Sequence, residues 1–279
     1  MATNTKPDPS DGLPAMEAQE WAEQKHDYLR RYLHISFAAR RKFINAGGKA
    51  TYTELFSGPG RLYKKASGDF IDGSPLVAYK ESLRTNTGFT AINLADERAE
   101  FCKAVEARLR TVNPAVNVTT HPLKSEAAAK RIVRSLDNRG INVAFVDPFN
   151  LGALPFTIIQ TFATLKKIDL IIHVSAMDLM RQLPAAIGGR ATSLDAFAPD
   201  WRKTVGSLPA GEQARGKYIE HWLGLSNGLG LEAAVNWRLI TSSTNSPLYW
   251  LVLVARHELA AKFWDESGKA AQGDLFGKS

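Results

Sequence analysis

Thr51-Tyr52-Thr53-Glu54-Leu55-Phe56-Ser57-Gly58-Pro59-Gly60 is the stretch on which the fold turns. Tyr52, Leu55 and Phe56 suit a short buried strand, and Gly47-Gly48 punctuates its start. The strand runs straight into Gly58-Pro59-Gly60, where glycine lets backbone come close to a ligand and proline stiffens the turn. Glu54 places a carboxylate at the carboxyl end of that strand, the end at which open α/β sheets bind ligands. A glycine pair alone also describes an ordinary tight turn, so its meaning depends on the segments downstream.

Those segments alternate between helix and strand. After Arg61–Asp72, a dozen residues able to fold over a ligand, Ser74-Pro75 reads as N-cap and first helical residue. Residues 89–95 form a second strand ending in Asp96, whose carboxylate suits the two hydroxyls of a ribose or, more plainly, the cap of the helix 97–109. Residues 116–120 make a third strand, and 142–146 a fourth that is apolar on both faces and therefore central and parallel. The fourth ends in Asp147-Pro148-Phe149, and 169–174 is a fifth. Residues 234–241 and 248–255 close the chain as an antiparallel hairpin. The expected fold is α/β, a doubly wound and mostly parallel Rossmann-like sheet of the class I methyltransferase type with that hairpin at its end.

Ahead of the sheet, residues 20–49 read as one basic amphipathic helix. Between Lys25 and Lys49 seven basic residues face one acid, Asp27, which places +6 of the chain's net +7 there. In an unbroken helix Arg30 and Arg41, like Arg31 and Lys42, share a face about three turns apart. With Arg61, Lys64 and Lys65 beyond the glycine loop, these are the candidate nucleic-acid contacts; a solvated face is the alternative. Residues 1–19 read as a disordered lead-in, 50–265 as the catalytic-type domain with an irregular insert over 176–232, and 266–279 as a flexible tail. At 279 residues and 44% hydrophobic composition the chain can bury a full core. No stretch has the length of a membrane span, one cysteine fits a reducing cytoplasm, and six scattered histidines offer no metal-ligand spacing.

Together these pieces resemble the three-Cys-motif partner proteins, a bacterial family similar to class I S-adenosylmethionine-dependent methyltransferases. The resemblance rests on the Trp21–Leu33 helix with Lys25, Glu54-Leu55-Phe56-Ser57-Gly58-Pro59-Gly60, Gly73-Ser74-Pro75-Leu76, Asp147-Pro148-Phe149 and Asp169-Leu170, and covers residues 20 to 265. It implies S-adenosylmethionine as cofactor, with Glu54, Phe56, Gly58 and Gly60 around its methionine end and Asp96 on the ribose. It also implies a separate partner protein that carries the three cysteines. Asp147-Pro148-Phe149 stands where amino-methyltransferases acting on bases carry Asp/Asn-Pro-Pro-Tyr/Phe; the carboxylate would orient an exocyclic amine and Phe149 would stack on an extruded base of DNA or RNA. This sequence departs from the pattern in having one proline, and in ending its third strand at His121-Pro122 without an acid for the cofactor adenine.

The expected function is therefore base-amine methylation with a partner protein. The alternatives are a non-catalytic adaptor of the same fold, and an enzyme acting on a protein or small molecule. Gln272, Leu275 and Phe276 also resemble the Gln-x-x-Leu-Phe peptides that dock into the bacterial sliding clamp.

Overall fold

The structure is a computed structural model that describes residues 4–18, 21–190, 192–242, 244 and 246–276, with side chains through 269. A short hairpin of β1 (Thr5–Pro7) and β2 (Pro14–Glu17) leads into helices α1 (Ala22–Ile35) and α2 (Phe37–Asn45). Strand β3 (Ala50–Glu54) gives way at the glycine loop to β4 (Arg61–Tyr63) and β5 (Phe70–Asp72). The alternation then runs α3 (Ser74–Arg84), β6 (Ala91–Ala95), α4 (Ala99–Val112), β7 (Val118–His121), α5 (Ser125–Ser135), β8 (Ile141–Val146), α6 (Phe156–Phe162) and β9 (Ile168–Ser175). The insert, expected to be irregular, holds α7 (Ala176–Ile187), α8 (Leu194–Phe197), α9 (Arg202–Val205) and α10 (Glu212–Gly228). Strands β10 (Glu232–Ala233), β11 (Arg238–Thr241) and β12 (Pro247–Ala255) precede the last helix, α11 (Glu258–Phe276).

The main sheet is ordered β10-β12-β9-β8-β3-β6-β7, with β11 also on the outer side of β12. β7, β6, β3, β8 and β9 are mutually parallel, while β12 is antiparallel to β9 and paired antiparallel with β11. A parallel sheet that reverses direction from its first strand and finishes with an antiparallel strand is the class I methyltransferase fold. Alternate residues feed two cores: Ala144, Val146, Ile172 and Val174 face α5, α6, α7 and α10, while Val143, Phe145 and Ile171 face α1, α3, α4 and α11. The insert packs as a ring cluster, with Phe197 stacked on Trp222 at 5.3 Å and Trp201 edge-on to Tyr218 at 5.4 Å.

Three further regions differ from the sequence reading. Residues 5–17, expected to be a disordered lead-in, join β4 and β5 in a four-stranded sheet ordered β1-β2-β4-β5, so residues 61–72 are tied into that sheet. Ion pairs hold the hairpin down: Asp8 to Arg61 at 2.9 Å and Asp11 to the buried Arg108 at 2.7 Å. The single basic helix is two helices meeting at Ser36. Arg40, counted among its charges, is 2% exposed and donates to the carbonyls of Leu33 and Thr87. The last helix continues to Phe276 through the expected tail; the side chains of Gln272, Leu275 and Phe276 lie outside the described residues.

Candidate functional site

Because β3, β6, β8 and β9 are parallel, their last residues converge on one edge. Glu54, Asp96 and Asp147 all lie there, with the glycine loop between the first two. Gly58 and Gly60 have left-handed backbone, φ 56° and 82°, which glycine adopts without cost. A Cβ on Gly60 would meet Val105 Cγ2 at 2.9 Å, so that residue is fixed by packing as well as by conformation. Above Gly58 the nearest neighbour is the Met16 methyl, 3.6 Å from where a Cβ would stand. Asp96 Oδ2 accepts from the Gly58 N–H at 3.2 Å, and Oδ1 accepts from the Arg98 N–H at 2.9 Å. One oxygen thus steadies the entrance to α4, whose N-cap is Arg98, and the other holds the glycine loop. Burial raises the Asp96 carboxyl above its ordinary value despite those bonds and the Arg98 charge.

Glu54 is sealed. It is 0% exposed; the Tyr52 hydroxyl donates to it at 2.8 Å and the Ser74 hydroxyl donates to its other oxygen. Ser74 therefore serves Glu54 and does not cap α3, whose N-cap is Gly73. Burial pushes the Glu54 carboxyl up to about 8, against the two hydroxyls, and the neighbouring Asp147 charge adds to the rise. Neutralising a carboxyl costs less here than burying a second anion beside Asp147.

Asp147 is the charged centre. Lys25, from the first turns of α1, donates to Oδ2, and His173 Nδ1 lies 2.8 Å from Oδ1. Burial alone would raise its carboxyl, but the Lys25 ammonium and His173 outweigh it and hold Asp147 well below the usual carboxylate range. Around the pair, Tyr249 packs on His173 with ring centroids 3.9 Å apart, and Trp21 meets Tyr249 edge-on at 6.1 Å. Among the described residues, His173 Nε2 and the Tyr249 hydroxyl are buried without a hydrogen-bond partner. Buried His26, one residue from Lys25, is driven down to about 3, first by burial and then by the Lys25 charge. Pro148 is buried, whereas Phe149 is 64% exposed, a large aromatic face presented beside Asp147.

Sequence reading brought Glu54, Phe56, Gly58, Gly60, Asp96 and Asp147–Phe149 to this edge. It missed His173 and Tyr249, which sit inside apolar strands that look like ordinary core, and it gave Lys25, noted for its charge and for the family resemblance, no place at the site. The expected nucleic-acid contacts do not form one face. Asp27 pairs with both Arg30 and Arg31, Arg61 is held between Asp8 and Asp72, and Lys64 pairs with Glu23. α1 runs antiparallel to the strands, from Lys25 at Asp147 to Tyr32, whose hydroxyl donates to Asp169 at the start of β9. Arg41 and Lys42 beyond it therefore lie toward the opposite edge, while Arg30 and Lys65 stay exposed.

Among the described residues no three His, Cys, Asp or Glu side chains converge as a metal site, and no helix is long and apolar enough to cross a membrane. No family model and no curated protein matches the chain. Solved structures do. A Legionella pneumophila protein of the DUF519 family is 10% identical with TM-score 0.47, covering 82% of this chain and 84% of that one. Magnesium protoporphyrin IX methyltransferase from Synechocystis, with S-adenosylhomocysteine bound, is 12% identical with TM-score 0.40 over 85% and 89%. A SAM-dependent methyltransferase from Agrobacterium tumefaciens is 10% identical with TM-score 0.43 over 91% and 70%. At such identities and scores the likeness says nothing of substrate, which must be sought in the geometry of this chain.

Proposed function

We propose that the chain is an S-adenosylmethionine-dependent methyltransferase whose acceptor is the exocyclic amine of a nucleic-acid base. The carrying observation is Asp96 at the end of the second parallel strand, bonded to the N–H of left-handed Gly58 in the loop that leaves the first. A ribose diol set against this carboxylate replaces that bond with two of its own, and Gly58 leaves no Cβ in its way. Asp96, Gly58 and Gly60 fit the cofactor. Glu54 in its sealed state does not touch it, and instead holds the floor through Tyr52 and Ser74.

The cofactor supplies an electrophilic methyl on sulfonium sulfur. The protein's part is to hold the nucleophile. Each oxygen of Asp147 keeps a lone pair beyond its bond to Lys25 or His173, so the fixed carboxylate can accept from an acceptor amine. That hydrogen bond strengthens as nitrogen becomes positive in the transition state. Phe149 offers a stacking face to the base. The reading includes a separate partner protein bearing the three cysteines, and docking of Gln272, Leu275 and Phe276 to a sliding clamp; pull-down with a chain ending at Lys269 tests the latter, and equal retention ends it.

Asp147→Ala, combined with Lys25→Ala so that no ammonium is left stranded, is the informative variant, because the motif it resembles carries either Asp or Asn at this position. Single-turnover transfer of labelled methyl to nucleic acid, with the partner present, should fall about a hundredfold or more, while S-adenosylmethionine affinity stays within a few-fold. Transfer at the wild-type rate contradicts the role of Asp147. The adaptor reading has its own observation: Met16 lies over Gly58, Glu54 is sealed and Asp147 is doubly engaged. Under it neither protein transfers methyl and neither binds the cofactor.

A further inference from the structure

The opposite, amino edge of the sheet carries a second feature. Lys49 stands directly before β3, Arg139 two residues before β8, Lys166 and Lys167 directly before β9, and Arg256 directly after antiparallel β12. β3, β8, β9 and β12 are neighbours in that order, and adjacent strands lie about 4.8 Å apart, so topology sets these cations in a row. Two backbone bonds and one side-chain bond confirm their adjacency: Ile141 N–H to the Lys49 carbonyl at 2.9 Å, Asn142 N–H to the Lys167 carbonyl at 3.2 Å, and Arg256 Nε to the Leu165 carbonyl at 3.1 Å.

All five are exposed, and among the described residues none has a carboxylate partner. The acids of this edge are already engaged. Asp169 accepts from the Tyr32 hydroxyl, Asp137 from the Arg139 backbone N–H, and Glu258 pairs with Lys262. Between α2, α11 and the row lies a cavity of about 310 Å³, with Val143, Ile168, Leu259 and Phe263 among its apolar lining, Lys166, Lys167 and Arg256 among its cationic lining, and the Asp169 carboxylate, which accepts from Tyr32, in its wall. Volumes of roughly 300–1,000 Å³ with apolar walls and few polar groups are those of ligand sites.

We infer that this edge binds single-stranded nucleic acid, with backbone phosphates along the cation row and an unpaired base in the cavity. The row supplies the sequence-independent charge that draws a polyanion. The apolar cavity selects single strands, because duplex bases are stacked and paired and cannot enter it. The surface is distinct from the edge bearing Asp147 and holds whether or not that edge transfers methyl.

The test is fluorescence anisotropy with labelled oligothymidylate, its duplex and anionic lipid vesicles, over a range of salt. The variants are the quadruple Lys49→Ala, Arg139→Ala, Lys166→Ala, Lys167→Ala and the cavity-filling Ala39→Phe. Wild type should bind the single strand more tightly than the duplex. The quadruple variant should lose affinity and give a log-affinity against log-salt slope shallower by about two to three units, each single-strand contact contributing about 0.7. Ala39→Phe should weaken single-strand binding and leave duplex binding unchanged. An unchanged slope in the quadruple variant, duplex bound as well as single strand, or vesicle binding without oligonucleotide binding overturns the inference. The exposed quadruple variant decides the question even if Ala39→Phe does not fold.

Discussion

The two edges of one sheet treat charge in opposite ways. At the carboxyl edge Lys25, Asp147 and Glu54 are withdrawn from water, and each is paired, hydrogen-bonded or held neutral. At the amino edge Lys49, Arg139, Lys166, Lys167 and Arg256 stand in solvent with no carboxylate beside them among the described residues. A buried charge must find a partner inside the chain or give up its charge, because its desolvation is not otherwise offset. An exposed one costs little to leave unpaired and acts at a distance. One edge holds its charges in a fixed geometry, and the other leaves them free in solvent.

The contrast is most exposed to failure at Lys25. Lys25→Ala leaves the Asp147 carboxylate facing His173 alone and should cost about 3 kcal/mol or more. Lys166→Ala should stay within about 0.5 kcal/mol. Urea denaturation of both variants measures this, and equal losses would erase the distinction.

A pH series separates two carboxyls on the same edge. Glu54 is raised in the folded state, so its contribution is whole below the unfolded value of about 4.3 and is lost as pH rises toward about 8. Asp147 is depressed, so its contribution is present above the unfolded value and is lost as pH falls through the folded one. Glu54→Gln should therefore flatten the fall in stability between pH 5 and 8, on the order of a few kcal/mol, and leave the acid limb unchanged. A wild-type-like decline would mean that Glu54 is ionised in the fold.

At the carboxyl edge the smallest expected effect is at Tyr249. Its hydroxyl is buried and unpartnered, so Tyr249→Phe should be neutral or stabilising by about 1 kcal/mol. If the same substitution impairs methyl transfer at unchanged stability, the hydroxyl waits for a ligand; if it destabilises, an internal partner satisfies it in solution.

How much of the molecule was legible in its sequence depends on how local each signal is. The parallel strands and closing hairpin announce themselves by apolar runs and turns. Glu54, Asp96 and Asp147 could be placed together because strand ends of a parallel sheet share an edge. The β1–β2 hairpin could not be read, because a short polar segment becomes a strand only through distant ion pairs to Arg61 and Arg108. His173 looks like core until Asp147 is seen beside it. The amino-edge row was invisible for a related reason. Its members are spread from Lys49 to Arg256 and meet only through strand order, whereas the conspicuous charge run at Arg30–Lys42 splits into Arg30 and Arg31 paired with Asp27, a buried Arg40, and Arg41 and Lys42 exposed on a second helix.

Calorimetric titration with S-adenosylmethionine of the wild type, Asp96→Ala and the quadruple amino-edge variant bears most directly on the carboxyl edge as the cofactor site. Saturable binding to the wild type and the amino-edge variant, with loss of at least about 1.4 kcal/mol, or tenfold, in Asp96→Ala, is the predicted result. Binding that Asp96→Ala leaves unchanged, or no binding by the wild type, would contradict it.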